Sequence, residues 1–209
     1  MMLNNYGFIS GYKNLFVMII FISSNRSVTM DFSSKSFITS KADLEGFVKK
    51  CYKCYQTIDN GNFIVNHEIL QQVNIYKTRQ RKLCLIVNSE SVIQGHWVVL
   101  LVIKAPIQVA IYLDSQNMLK RQRPKVYLSI EKFCKRNSLH LLDKSFQIQN
   151  LNHNNCGYHC LHYLAKFVHM SVHSFDHYVA SLKRNPSKMK ELSIYCFVQR
   201  HYNLRHSSC

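Results

Sequence analysis

The sequence has few of the features that divide a chain into several domains or anchor it in a membrane. It contains three prolines and six glycines in 209 residues, no internal repeat and no low-complexity linker. Such a chain has few break points, and its length suits one domain with a full core better than two. The apolar run from Leu15 to Ile22 is too short to span a bilayer, and no small-residue cleavage site of a signal peptide follows it. We therefore expect no membrane span, a leader or dispensable segment over 1–29, and one domain over 30–209.

Acidic residues are scarce. The chain has 11 Asp and Glu against 27 Lys and Arg, which gives a formal net charge of +16. Such an excess attracts polyanions such as nucleic acid, although a merely soluble basic surface is the alternative. The basic residues that we expect to contact phosphates form clusters: Lys77, Arg79, Arg81 and Lys82; Lys120, Arg121, Arg123 and Lys125; and Lys183, Arg184, Lys188 and Lys190.

The eight cysteines form no dense, regular framework, so we expect reduced thiols in an intracellular protein. A structural zinc is an alternative. Its ligands would come from two groups, Cys51 and Cys54, and His153, Cys156, His159 and Cys160. A basic, zinc-stabilised nucleic-acid-binding module is therefore the non-enzymatic interpretation. Its weakness is that helical cysteines serve equally well as core thiols.

Apolar periodicity predicts an α+β fold, with a mainly antiparallel sheet packed against helices. The strands are predicted at 63–65, 83–87, 97–103, 108–113 and 146–148. The helices are predicted at 39–55, 68–73, 126–135, 156–170, 175–182 and 190–202.

Cys156 stands at the predicted start of the strongest helix. Asn154 and Asn155 before it are good N-cap residues, and an apolar stripe follows. The unpaired N–H groups and the dipole at a helix N-terminus favour a thiolate there. Gly157 is costly inside a helix, so its place beside Cys156 indicates that a substrate chain passes close to the backbone.

A thiolate nucleophile also needs a base and a group that orients the base. His96 opens one predicted strand and Asp114 follows the next. In a hairpin that turns about Ala105 the two residues would lie directly opposite each other, about 5 Å apart at Cβ. Taken singly, Asp114 fits a turn residue and His96 a strand end. The combination with Cys156 favours catalysis.

These residues resemble those of a clan of thiol proteases, the ubiquitin-like-protein (SUMO) proteases and the adenovirus endopeptidases. The shared landmarks, in chain order, are Gly95-His96-Trp97, Tyr112-Leu113-Asp114-Ser115, Gln149 and Asn155-Cys156-Gly157-Tyr158. The adenovirus type is the closer match, through the segments Cys84–Asn88 and Phe197–His201, and the resemblance covers Asp43 to His206.

The resemblance implies a role for each residue. Cys156 would be the nucleophile, His96 the general base and acid, Asp114 the orienting carboxylate and Gln149 the oxyanion donor. Trp97 would wall a narrow substrate cleft, with Gly157 beside it, although a plain core position is equally open for this single tryptophan. The acid departs from the adenovirus enzymes, which usually carry Glu.

The resemblance also implies a substrate and partners. We expect a monomeric endopeptidase of the nucleus or the virion that cleaves after small residues or glycine in viral or mobile-element precursor proteins. A ubiquitin-like isopeptidase is the alternative. The chemistry needs no cofactor, and DNA would act as an activating polyanion. Adenovirus enzymes also bind an activating peptide through a cysteine, but Cys134 does not stand at the corresponding spacing, so such a peptide stays unassigned.

Overall fold

The computed structural model describes residues 42, 44–46, 64–77, 80–89, 96–149, 155–185, 193–194 and 196–198. The predicted leader over 1–29 lies outside these residues. The predicted phosphate-contacting residues Arg79, Lys188 and Lys190 also lie outside them. So do the candidate zinc ligands His153, Cys51 and Cys54.

The sheet has five strands, which lie side by side in chain order. They are β1 (Ile64–Asn66), β2 (Lys82–Asn88), β3 (Trp97–Ile103), β4 (Val109–Leu113) and β5 (His140–Asp143). The long central pairs β2–β3 and β3–β4 are antiparallel, whereas β1 and β5 join the two edges in parallel. The mainly antiparallel sheet is confirmed, with parallel edges that the sequence did not indicate.

Four α-helices have both ends within the described residues, and residues 42, 44–46, 193–194 and 196–198 are helical as well. The four are α1 (Leu119–Gln122), α2 (Pro124–Arg136), α3 (Cys156–His169) and α4 (Val172–Arg184). Two short 3-10 turns, Leu70–Gln72 and Ile75–Lys77, lie between β1 and β2. The predicted α+β class is confirmed. None of the helices in the described part of the chain is long and apolar enough to cross a bilayer.

Both faces of the sheet are covered, and β3 is buried at every residue. Because side chains alternate along a strand, Val99 and Leu101 pack into the core with α3 and α4, while Val98 and Leu100 pack into the core with α2 and the 3-10 turns. A strand buried on both sides is apolar throughout, which explains the uninterrupted run WVVLLVI.

One predicted strand is wrong. Residues 146–148 form no strand, because the N–H groups of Ile148 and Gln149 donate to the Ser115 carbonyl instead of to a neighbouring strand. The fifth strand is β5, whose sequence HLLD begins and ends in exposed polar residues. So short a segment, polar at both ends, gave no apolar alternation to detect.

The expectation of reduced thiols holds for the four buried, free cysteines of the described chain, Cys84, Cys134, Cys156 and Cys160. It is wrong for Cys196, which is disulfide-bonded.

Candidate active site

Cys156 is the first residue of α3 and is buried at the point where this helix packs on the sheet. Asn155 occupies the N-cap position, and its carbonyl accepts the N–H groups of Tyr158 and His159. The predicted N-cap position is therefore confirmed at Asn155, although its side chain makes no capping hydrogen bond among the described residues. The Oδ1 atom of Asn155 is instead buried without a partner there.

The start of β3 brings a backbone donor to the sulfur. The N–H of Trp97 donates to Sγ of Cys156 over 3.4 Å. The backbone at the start of β3 thus supplies a hydrogen-bond donor to the sulfur. Trp97 is only 5% exposed and packs in the same core as Cys156, and Gly157 is buried as the second residue of α3.

His96 contacts the Asp114 carboxylate and lies near Cys156. Its Nε2 is 2.5 Å from Oδ1 of Asp114, and the Cys156 side chain is close enough to the ring to help raise the pKa of His96. Burial by itself lowers the pKa of His96, but the hydrogen bonds and charges of Asp114 and Cys156 outweigh burial and raise this pKa to about 9. The imidazolium therefore persists at neutral pH.

The expected strand register is wrong by two residues. The β3–β4 ladder pairs Val99 with Leu113 and Ile103 with Val109, so its continuation places Val98, not His96, opposite Asp114. The connection between the strands is centred on Pro106 instead of Ala105, which shifts the whole ladder. His96 and Asp114 are therefore diagonal neighbours, which long side chains still bridge.

Asp114 is held from several sides. Its Oδ1 accepts the Gln116 N–H, and its Oδ2 accepts the Met118 and Leu119 N–H groups at the start of α1, each over 2.9 Å. Burial alone would raise the pKa of this carboxyl, but the hydrogen bond and charge of His96, with the backbone donors, hold the pKa below its usual range. Asp114 is thus both a turn residue and the partner of His96, two roles that the sequence analysis had treated as alternatives.

Ser89, which the sequence analysis did not single out, fixes the backbone at His96. Its Oγ accepts the His96 N–H over 3.0 Å, and its own N–H donates to the His96 carbonyl over 2.9 Å. Arg123 donates from Nη1 to the same Oγ. Arg123 therefore lies beside the candidate site, and no local pattern around Ser89 could have indicated this contact.

Gln149 is 1% exposed, and its Oε1 accepts a hydrogen bond from the Ser115 hydroxyl over 2.7 Å. The backbone N–H of Gln149 also donates to the Ser115 carbonyl. Ser115 directly follows Asp114, so two adjacent residues bind His96 and Gln149.

The predicted phosphate-contacting residues fall into two structural groups. Seven are exposed: Lys77, Arg81, Lys120, Arg121, Lys125, Lys183 and Arg184. Lys82 is half-buried, and its ammonium group donates to the Phe167 and Met170 carbonyls at the end of α3. Contact of these residues with nucleic acid stays a prediction.

The described residues give no support to the zinc interpretation. Within them, no group of three or more His, Cys, Asp or Glu side chains is placed to hold a metal ion.

Comparison with protein-family models gives no match, and comparison with curated proteins gives no significant match. The function is therefore inferred from the geometry of the residues above.

Proposed function

We propose that this protein is a cysteine endopeptidase with Cys156 as nucleophile, His96 as general base and acid, and Asp114 as the residue that orients His96. One observation carries the proposal. The His96 ring is hydrogen-bonded to the Asp114 carboxylate, and the Cys156 sulfur, which accepts the N–H of the adjoining Trp97, is close enough to help raise the pKa of His96. A nucleophile, a base and an orienting acid in one line are what acyl transfer by a thiol requires.

The first half of the reaction breaks the peptide bond. The Cys156 thiolate attacks the scissile carbonyl carbon, a C–S bond forms, and the carbonyl oxygen takes the negative charge. The C–N bond then breaks, and the leaving amine takes its proton from the His96 imidazolium. The raised pKa of His96 supports this step, because it keeps the proton available at neutral pH.

The second half releases the acyl product. Neutral His96 accepts a proton from water, whose oxygen attacks the thioester carbon. The C–S bond breaks, the carboxylic acid product leaves, and the thiolate–imidazolium pair is restored. Throughout, Asp114 fixes the imidazole tautomer and stabilises its charged form.

The developing oxyanion needs donors. In the proposed enzyme these are the Gln149 carboxamide and the backbone N–H of Cys156 at the start of α3. Burial of Gln149 supports this role, since a donor in a water-poor site needs little reorganisation during the reaction.

For the substrate, we propose cleavage after small residues or glycine in viral or mobile-element precursor proteins, with Trp97 and Gly157 bordering the cleft. This proposal rests on the resemblance of His96-Trp97 and Cys156-Gly157 to the protease clan. A ubiquitin-like isopeptidase would use the same chemistry on a lysine-linked bond.

The test is a peptide-library digest by wild-type protein, the Cys156→Ala variant and a Cys134→Ala control, which removes another buried thiol from the far side of the sheet. We expect wild type and control to cleave after glycine and Cys156→Ala to be inactive with a normal melting curve. A second arm compares a linear peptide with a lysine-linked isopeptide after the same glycine, and preference for the isopeptide would favour the deconjugating enzyme. Cleavage that survives in Cys156→Ala, or an inactive protein that holds one zinc ion, would contradict the proposal.

A further inference from the structure

Ser115 connects two parts of the candidate site, the His96–Asp114 pair and the proposed oxyanion donor Gln149. Asp114, the residue before it, serves the imidazole, while the Ser115 hydroxyl donates to Oε1 of Gln149. The Ser115 carbonyl also accepts the N–H groups of Ile148 and Gln149. The backbone and the side chain of Gln149 are thus both fastened to one residue, which is itself 3% exposed.

A carboxamide has two nearly isosteric ends with opposite chemistry. The NH2 end stabilises an oxyanion, whereas the oxygen end repels it. A hydroxyl that donates to Oε1 fixes the oxygen end at Ser115 and turns the NH2 end away from it. Loss of this hydroxyl would leave a buried carboxamide oxygen without that donor and would weaken the restraint on the direction of the carboxamide.

We propose that Ser115 is a positioning residue that holds the Gln149 carboxamide with its NH2 end available to the oxyanion. The inference rests on the proposed peptidase function and adds to it a link between the end of β4 and the oxyanion donor. Ser145 strengthens this link, because its Oγ accepts the Asp114 N–H over 3.1 Å. The segment from Ser145 to Gln149 is therefore hydrogen-bonded to both Asp114 and Ser115, the two residues that follow β4.

The experiment compares Ser115→Ala, Gln149→Ala and the double variant on the best peptide from the library. The control is Ser129→Ala, which removes a partly buried hydroxyl bonded to the His67 carbonyl, outside the candidate site. We expect Ser115→Ala to lower kcat about 10-fold to 100-fold, less than the loss of a direct oxyanion donor, with KM changed less than about twofold. The double variant should match Gln149→Ala, since both changes disable the same group.

Two further readouts separate positioning from general damage. Alkylation of Cys156 by iodoacetamide forms no oxyanion, so Ser115→Ala should react at the wild-type rate. A peptide aldehyde forms a tetrahedral adduct with the thiol, so its inhibition constant should rise by about the factor that kcat loses.

The contrary results are distinct. An unchanged kcat in Ser115→Ala, an equal loss in the Gln149→Ala background, or slowed alkylation would contradict the positioning role while the peptidase proposal stood. A wild-type protein that cleaves no peptide and forms no Cys156 adduct would contradict both.

Discussion

Asp114 holds His96 from a diagonal position: Oδ1 lies 2.5 Å from Nε2 although the β3–β4 ladder, continued past its last pair, places Val98 opposite Asp114. The pairing therefore does not depend on direct cross-strand register. It depends on the aim of the carboxylate, which three backbone N–H groups of the following turn fix.

Replacing this carboxylate should damage both activity and stability. Asp114→Asn presents a donor where Asp114 accepts N–H groups, and it removes the charge that stabilises the imidazolium. We expect kcat/KM to fall on the order of 10³-fold and the free energy of unfolding to fall by about 1–3 kcal/mol, measured by peptide hydrolysis and urea unfolding. The control is Asp143→Asn, an exposed acid bonded to Tyr127 and Ser145. Equal losses in the two variants would contradict the special role of Asp114.

The pH dependence of hydrolysis should show an alkaline limb near the pKa of His96. Because interactions with Asp114 and Cys156 raise this pKa to about 9, against the opposing effect of burial, the imidazolium acid is present below that pH and is lost above it. We expect kcat/KM to be maintained through neutral pH and to fall as the pH rises through about 9. In Asp114→Asn the fall in the residual kcat/KM should begin at a lower pH than in wild type. A limb that does not move between the two proteins would assign it to another group.

His159 should make the fold sensitive to acid. It is fully buried, and neither of its ring nitrogens has a hydrogen-bond partner among the described residues. Burial, with smaller contributions from His162 and His96, lowers its pKa to about 3. The unfolded chain takes up a proton near pH 6.5, whereas folded His159 stays neutral, so its contribution to stability is lost as the pH falls from about 6.5 towards 3.

The measurement is urea unfolding at pH 7 and pH 5 for wild type and His159→Leu, with exposed His140→Gln as control. Between these pH values wild type should lose about 2 kcal/mol more than His159→Leu, and the control should follow wild type. An identical loss in wild type and His159→Leu would mean that His159 is not buried in its neutral form.

Nucleic acid should raise the cleavage rate if the charge of +16 recruits a polyanion. The exposed residues Lys120, Arg121 and Lys125 near the start of α2 are the best-placed cluster to remove, because Arg123 between them reaches the Ser89 hydroxyl beside His96. Changing the three to Gln should weaken DNA binding and lower the salt slope of log affinity by about 2 to 3. Lys132→Gln/Lys135→Gln, on the same helix, is the control. No rate increase with DNA in wild type, at low salt, would remove this role.

The sequence predicted the parts of the molecule that local pattern determines. β3 was predicted at its observed bounds because a strand buried on both faces is apolar at every position, and α3 was predicted within one residue because its apolar stripe is long. β5 was missed because it is a short edge strand with polar ends, and the register was misplaced because the connection from Lys104 to Gln108 gives no sequence signal for its centre.

The candidate site shows the same division. The proximity of His96, Asp114 and Cys156 was inferred from their places at element ends, which the strand and helix patterns locate. The contacts made by Ser89 and Ser115 were not foreseen, since no pattern in the sequence indicates the partner of a serine hydroxyl and these partners lie 7 and 34 residues away. The sequence offered His159 only as a candidate zinc ligand and did not indicate that it is buried without a hydrogen-bond partner among the described residues.

The central claim is that His96, held by Asp114, activates the sulfur of Cys156. The most direct measurement is the rate of iodoacetamide modification of each cysteine at pH 7, mapped by mass spectrometry in wild type and His96→Gln. Burial raises the pKa of the Cys84, Cys134 and Cys160 thiols, so we predict that Cys156 reacts first of the four free cysteines and that His96→Gln slows it by about tenfold or more. Equal rates at Cys156 in the two proteins, or faster modification of Cys160 than of Cys156, would contradict the account.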